Sequence, residues 1–254
     1  MRLIAHRGYS SLAPENTPAA FELALECGAT AVECDLQRTR DGQLVILHDG
    51  TLNRTSTGRG AVRSKTLEEL RPLSAGYARK FGSRFVSERI PTFKELLLQV
   101  QHRAHLFAEL KREGLARDGS DRREMIRLVR ELALVDEVTF ISFEWPALEE
   151  MRSMCTDVRL GLLFDRYRPH RMFAVSKSLD ARFLMGRVDL VEKHPEVIHE
   201  THRRGMELGV YTVDDLPRLK KLEQLGVDGA ATNRIGDFVC EFAPADSRVT
   251  KHEF

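Results

Sequence analysis

The sequence predicts an α/β protein of the TIM (β/α)8 barrel class, with a small insertion after the β-hairpin that follows the second strand. Three observations predict it. Short apolar runs alternate with amphipathic stretches from end to end, the pattern of parallel strands joined by crossover helices. Eight such units in 254 residues match this barrel in size, provided one short strand is a hairpin return. The alternative is a doubly wound open sheet. No G-x-G-x-x-G follows the first strand, which argues against a dinucleotide-binding version of that alternative.

Each element has its own signal. Leu3-Ile4-Ala5 opens as a strand. Thr17 then caps a helix with Pro18 at its first position, and Gly28 stops it. Ala31 to Leu36 is the second strand, Asp41-Gly42 a tight turn, and Gln43 to His48 the returning strand. Residues 50–90 are the least regular part and read as an insertion: a Thr, Ser and Gly-rich loop, then a short helix at Thr66–Leu70. After Pro91 the alternation resumes. Helices are expected over 92–101, 121–134, 146–154, 195–207 and 217–225, and strands over 106–110, 138–141, 158–164, 188–191, 209–213 and 227–231. No linker or repeat divides the chain, so residues 1–254 read as one domain.

Composition excludes several functions. Apolar residues are 42%, charged residues 30%, and 39 Lys and Arg face 38 Asp and Glu, a net charge of +1. That is too apolar and too balanced for a disordered tail or a nucleic-acid groove. No run of about 18 apolar residues occurs, so no stable membrane insertion is expected. Met1 to Gly8 lacks the apolar core of a secretory signal. The four cysteines form no C-x-x-C pair. A cytoplasmic protein with reduced thiols is expected.

Buried parallel strands should be apolar on both faces, so their polar residues carry information. Glu33 and Asp35 are two apart in one strand and share a face. Glu109 sits late in another strand, followed two residues on by Lys111. A two-residue hairpin loop would set Arg40 opposite Gln43 and hence Asp35 opposite His48. Late-strand residues converge on the C-terminal rim of a barrel, so His6 and Glu109 join the cluster. Three carboxylates together would repel unless neutralised, and all-oxygen ligation suits Mg²⁺ or Ca²⁺. His6 and His48 are acid–base groups suited to neutral pH, while Arg7-Gly8 offers a cation and an open N–H to an anionic oxygen such as phosphate. The other seven histidines, at 102, 105, 170, 194, 199, 202 and 252, lie in helical or loop contexts and read as structural or solvated.

An ordered set of short motifs spans nearly the whole chain. It runs His6-Arg7-Gly8, Pro14-Glu15-Asn16-Thr17, Glu33-Cys34-Asp35, Arg40-Asp41-Gly42, His48-Asp49 and Leu52-Asn53-Arg54-Thr55. It continues through Ile90-Pro91-Thr92, Glu109-Leu110-Lys111, Ser142-Phe143, Tyr211-Thr212-Val213 and Gly226-Val227-Asp228-Gly229. In this the sequence resembles the glycerophosphodiester phosphodiesterases. The resemblance implies an enzyme that hydrolyses small-molecule glycerophosphodiesters to sn-glycerol 3-phosphate and an alcohol. It implies Glu33, Asp35 and Glu109 as ligands of Mg²⁺ or Ca²⁺, and His6 and His48 as the acid–base pair. Arg7, Asn16, Lys111, Phe143 and Tyr211 would contact substrate, and Glu15 would support the loop. Tyr211 and Asp214 stand where the family often has Trp and Asn, which bears on substrate preference.

Other readings stay open at this stage. A lysophospholipase D or phosphatidylinositol-type phospholipase would need an acyl groove. Phe81, Phe85 and Val86 could supply one, although core packing of the insertion is the simpler expectation for them. A non-catalytic phosphodiester-binding barrel and an enolase-type lyase are the remaining alternatives. Oligomeric state, including a homodimer, is also open.

Overall fold

The computed structural model describes residues 1–242. The polar stretch Ser247 to Phe254, which by its sequence is expected to fray, lies outside the described residues. Eight parallel strands close into a barrel: β1 (Arg2–His6), β2 (Ala31–Arg38), β4 (His105–Leu110), β5 (Val138–Ser142), β6 (Arg159–Phe164), β7 (Phe183–Arg187), β8 (Glu207–Tyr211) and β9 (Gly229–Thr232). A ninth strand, β3 (Leu44–Ile46), adds antiparallel to β2. The ladder runs β1-β9-β8-β7-β6-β5-β4-β2-β3, and β1 pairing with β2 closes the ring.

Strand periodicity builds the interior. Ile4, Ala31, Phe107, Ile141, Leu163, Phe183, Met185 and Ala231 pack as one buried cluster inside the barrel. Gly209 makes room for it, since a Cβ there would lie 2.6 Å from Phe183 Cζ. Two residues further along the same strands come His6, Glu33, Glu109, Phe143 and Asn233. The strand period of two therefore places the polar set directly above an apolar floor. The larger core lies between strands and helices, with Phe21, Phe93 and Phe140 fully buried.

Three expectations are corrected. Residues 188–191 are not a strand; they belong to the helix Val188–Lys193, and the strand is Phe183–Arg187. Gly186 within it obscured the pattern, yet a Cβ there would stand 2.3 Å from Phe164 Cζ. The hairpin register is shifted by one, pairing Leu36 with Ile46 and Arg38 with Leu44. Its loop has three residues, because Thr39 N–H donates to Gln43 O, Gln43 N–H to Thr39 Oγ1, and Gly42 takes φ +86°. Asp35 thus faces Leu47, whose N–H donates to Asp35 O at 3.0 Å, and His48 lies beyond the regular ladder. The insertion's core is Val45, Leu47, Leu52, Val62, Leu70, Ala75 and Ile90, without Phe81, Phe85 or Val86. Three further helices are not expected from the sequence: Ala78–Phe81, Pro169–Ser178 and Ile235–Phe242. No helix among the described residues is long and apolar enough to cross a membrane.

Candidate active site

A cavity of about 150 Å³ opens at the C-terminal rim. His6, Arg7, Glu33, His48, Glu109 and Lys111 line one side, and Ile141, Phe143, Leu163, Met185 and Tyr211 the other. Parallel register assembles the polar side: His6 on β1 pairs with Glu33 on β2, and Asp35 pairs with Glu109 on β4. The turn after β1 is tight. Arg7 and Gly8 both have positive φ, and a Cβ on Gly8 would lie 2.5 Å from the Ala20 carbonyl carbon. That turn aims Arg7 N–H at Glu33 Oε2, 3.1 Å away.

Glu33, Asp35 and Glu109 each offer an oxygen, all within 4.8 Å of one another, and all three residues are buried. Two cations serve them. Lys111 Nζ lies 2.9 Å from Asp35 Oδ1 and 2.8 Å from Glu109 Oε2, and Arg7 Nε lies 3.1 Å from Asp35 Oδ2. The balance is uneven. Burial, reinforced by the charge of Asp35, pushes the Glu33 carboxyl well above the carboxylate range. Burial also pushes Glu109 up to about 7, against the pull of Lys111. At Asp35 the burial penalty is outweighed by Lys111 and Arg7, so it is held well below the usual range. Asp35 Oδ1 is buried without an aligned hydrogen bond, despite the nearby ammonium. An oxygen triad with one orphaned oxygen and too little positive charge fits a hard divalent cation.

The two histidines are held differently. His6 Nδ1 lies 2.8 Å from Asn233 Oδ1. The amide's orientation follows from Asp214, which accepts from Asn233 Nδ2 at 2.6 Å and from Asn233 N at 2.7 Å. Asn233 therefore presents its oxygen, so His6 carries its proton on Nδ1 and leaves Nε2 unprotonated. That Nε2 stands 3.9 Å from Glu33 Oε2. Burial, and next the charge of Arg7, lower the His6 pKa to about 4. His48 instead places Nδ1 2.7 Å from the Asp49 carboxylate. Arg54 grips Asp49 at 2.8 and 3.0 Å and forks onto Glu15 at 2.7 and 2.8 Å, and Glu15 accepts from Arg7 at 2.8 Å. One ionic chain thus runs from His48 round to Arg7.

Phe143 and Tyr211 meet edge-to-face, 5.9 Å between centroids, on the apolar wall. Tyr211 O–H donates to Phe164 O at 3.2 Å. Asn16 is the one expected contact residue that the structure sets apart. It is buried behind Asp35, donating from Nδ2 to Asp35 Oδ2 at 2.7 Å, and does not line the cavity. Asp214 likewise turns away from the cavity to anchor Asn233. The sequence gives Asn233 and Asp49 no role, and it ties Asp214 to substrate preference rather than to anchoring Asn233. They are loop polar residues of ordinary type, and only the fold shows what they touch. Arg54 and Asp49 had a trace, since both lie in the ordered motif set. A larger cleft of about 860 Å³ between the helices Pro169–Ser178 and Glu196–His202 holds no comparable metal-binding cluster among the described residues.

The model of the glycerophosphoryl diester phosphodiesterase family matches residues 6–237. The chain is 32% identical over 238 residues to a glycerophosphodiester phosphodiesterase of Caldanaerobacter subterraneus subsp. tengcongensis, covering 91% of this chain and 93% of that one. It is 28% identical over 234 residues to a glycerophosphodiester phosphodiesterase of Bacillus altitudinis, covering 91% and 94%. A solved phosphodiesterase of Oleispira antarctica, in complex with the product sn-glycerol-3-phosphate, superposes with a TM-score of 0.85 at 26% identity, covering 94% of this chain and 95% of that one. A glycerophosphodiester phosphodiesterase of Agrobacterium tumefaciens superposes with a TM-score of 0.82 at 28% identity, covering 94% and 98%. With the family model spanning both rim histidines and all three carboxylates, the chain belongs to the glycerophosphoryl diester phosphodiesterase family and is a phosphodiester-hydrolysing enzyme.

Proposed function

We propose that this enzyme hydrolyses glycerophosphodiesters to sn-glycerol 3-phosphate and an alcohol, with a divalent cation, Mg²⁺ or Ca²⁺, at Glu33, Asp35 and Glu109. The observation that carries the reading is that Glu33 and Glu109 of that triad line one cavity with His6 and His48, while Asp35 is buried against them. The product bound in the Oleispira antarctica relative supports the substrate class. When bound, the cation supplies charge neutralisation at the phosphate. With Arg7 and Lys111 counted, the site then carries one net positive charge, matched to a singly charged phosphodiester.

The chain's own groups divide the proton transfers. His6 is the base. It is neutral, backed by an uncharged amide, and its free Nε2 accepts the proton of the attacking hydroxyl, either from water directly or from the substrate's own glycerol, giving a cyclic phosphate that water then opens to sn-glycerol 3-phosphate. His48 is the acid. The Asp49 carboxylate at its Nδ1 orients the ring, and Nε2–H of the protonated ring gives its proton to the leaving oxygen. Arg7 and Lys111 hold the phosphate oxygens, and Asn16 keeps Asp35 in place. Phe143 and Tyr211 pack the glycerol or head group. Residues 1–254 act as one barrel domain with the 50–90 insertion beside its mouth. A reducing, cytoplasmic setting completes this reading.

A panel assay tests the substrate class. The ion-loaded enzyme is expected to turn over glycerophosphocholine or another glycerophosphodiester faster than lysophosphatidylcholine. Preference for the lysolipid moves the assignment to a lysophospholipase D, and no turnover of any member contradicts it.

A further inference from the structure

The near-neutral total conceals a segregated charge. Residues 50–91 contain nine Arg and Lys against three Glu, a net +6, which leaves 30 basic and 35 acidic residues elsewhere, a net −5. Part of that excess is used internally: Arg54 pairs with Glu15 and Asp49, Lys65 with Glu69, and Arg71 with Glu95. Arg59, Arg63, Arg79, Arg84 and Arg89 are exposed and have no ion-pair partner among the described residues. An almost neutral protein therefore presents one strongly basic lobe.

The lobe is also apolar at its tip. Val86 is 62% exposed, and Phe81 and Phe85 lie outside the insertion's core. These rings meet edge-on at 5.5 Å, with Lys80 Nζ 4.9 Å over Phe81 and Arg84 5.0 Å over Phe85. The tip is tied to the cavity mouth. Lys80 Nζ donates to Ser10 O at 2.7 Å, and Ser10 Oγ donates to Asn233 Oδ1, the oxygen that His6 faces. Phe143, another exposed apolar side chain, lines that cavity.

We propose that this lobe docks the enzyme reversibly on an anionic lipid bilayer surface, with Val86 and the Phe81–Phe85 pair at the interface. Arginines without ion-pair partners, with an exposed Val86 and the half-buried Phe81 and Phe85, supply both attractions such a surface offers: charge and a shallow apolar layer. A single-stranded nucleic acid fits less well. It needs open ring faces for stacking, and Lys80 and Arg84 cover a face of Phe81 and of Phe85. The proposal goes beyond the hydrolytic reading and does not depend on it.

Vesicle sedimentation of the full chain tests the docking. Wild type is expected to bind phosphatidylcholine vesicles containing phosphatidylglycerol, to lose that binding in high salt, and to ignore vesicles of phosphatidylcholine alone. Arg79→Glu with Arg84→Glu should weaken the binding by at least about 30-fold. Val86→Asp should weaken it further, while both variants keep wild-type turnover of soluble glycerophosphocholine. Three results overturn the proposal: no binding to anionic vesicles, binding unchanged in both variants, or variant-sensitive binding of a single-stranded RNA with none to vesicles.

Discussion

Alanine at His48 lowers kcat on glycerophosphocholine by about 10²–10⁴-fold, yet costs far less on a glycerophosphodiester whose leaving group is p-nitrophenol. The reason lies in what backs each ring. Asp49 holds the Nδ1 side of His48 and turns Nε2 towards the cavity, so removing His48 removes the proton given to the leaving oxygen. A phenolate needs no such proton. Alanine at His6 is expected to lose activity to a similar extent on both substrates, because the attacking hydroxyl still needs a base. Neither variant should alter the melting temperature by more than a few degrees, since both rings reach the cavity surface. Equal losses for His48→Ala on the two leaving groups would sink the division of roles.

The second large effect is on the response to divalent ions. Wild type stripped by chelator should regain activity and thermal stability on adding Mg²⁺ or Ca²⁺. At an ion concentration 100 times Kd the gain is about 2.7 kcal/mol. Glu33→Gln with Asp35→Asn should abolish both responses. Glu33→Gln alone has a further signature in the metal-free protein. The folded state holds the Glu33 carboxyl protonated well above the ordinary value of 4.5, whereas the unfolded chain ionises there. An acid raised in the folded state loses its stabilising contribution as pH climbs from 4.5 towards the folded value. The glutamine variant should thus match wild type below about pH 4 and melt higher at pH 7, by thermal denaturation in chelator. A difference of equal size at both pH values contradicts the assignment.

What the sequence showed of the site depended on contrast. Glu33, Asp35 and Glu109 stood out because a buried parallel strand has no ordinary place for them, and the barrel period then set all three at one rim. His6 was visible for the same reason, at the end of a strand. Asn233 and Asp214 offered no contrast: polar residues in loops are expected, and the pairing of Asn233 with His6 spans 227 positions. The hairpin register failed by one residue because a side chain, Thr39 Oγ1, closes the loop and Gly42 adopts a left-handed conformation. His48 reached the cavity nonetheless, since the ladder had already ended at Ile46. Strand β7 was misplaced because the run that follows it, Val188 to Val191, is apolar enough to imitate a strand, whereas Gly186 within β7 weakens its own signal.

The central claim is that this rim pocket breaks the phosphodiester on the side away from the glycerol. The most direct measurement is phosphorus-31 NMR of glycerophosphocholine incubated with the ion-loaded enzyme. The account predicts growth of the sn-glycerol 3-phosphate resonance at the expense of the diester, and no growth when His6 is replaced by alanine. Accumulation of phosphocholine, or an unchanged diester with fully folded and ion-loaded enzyme, would contradict it.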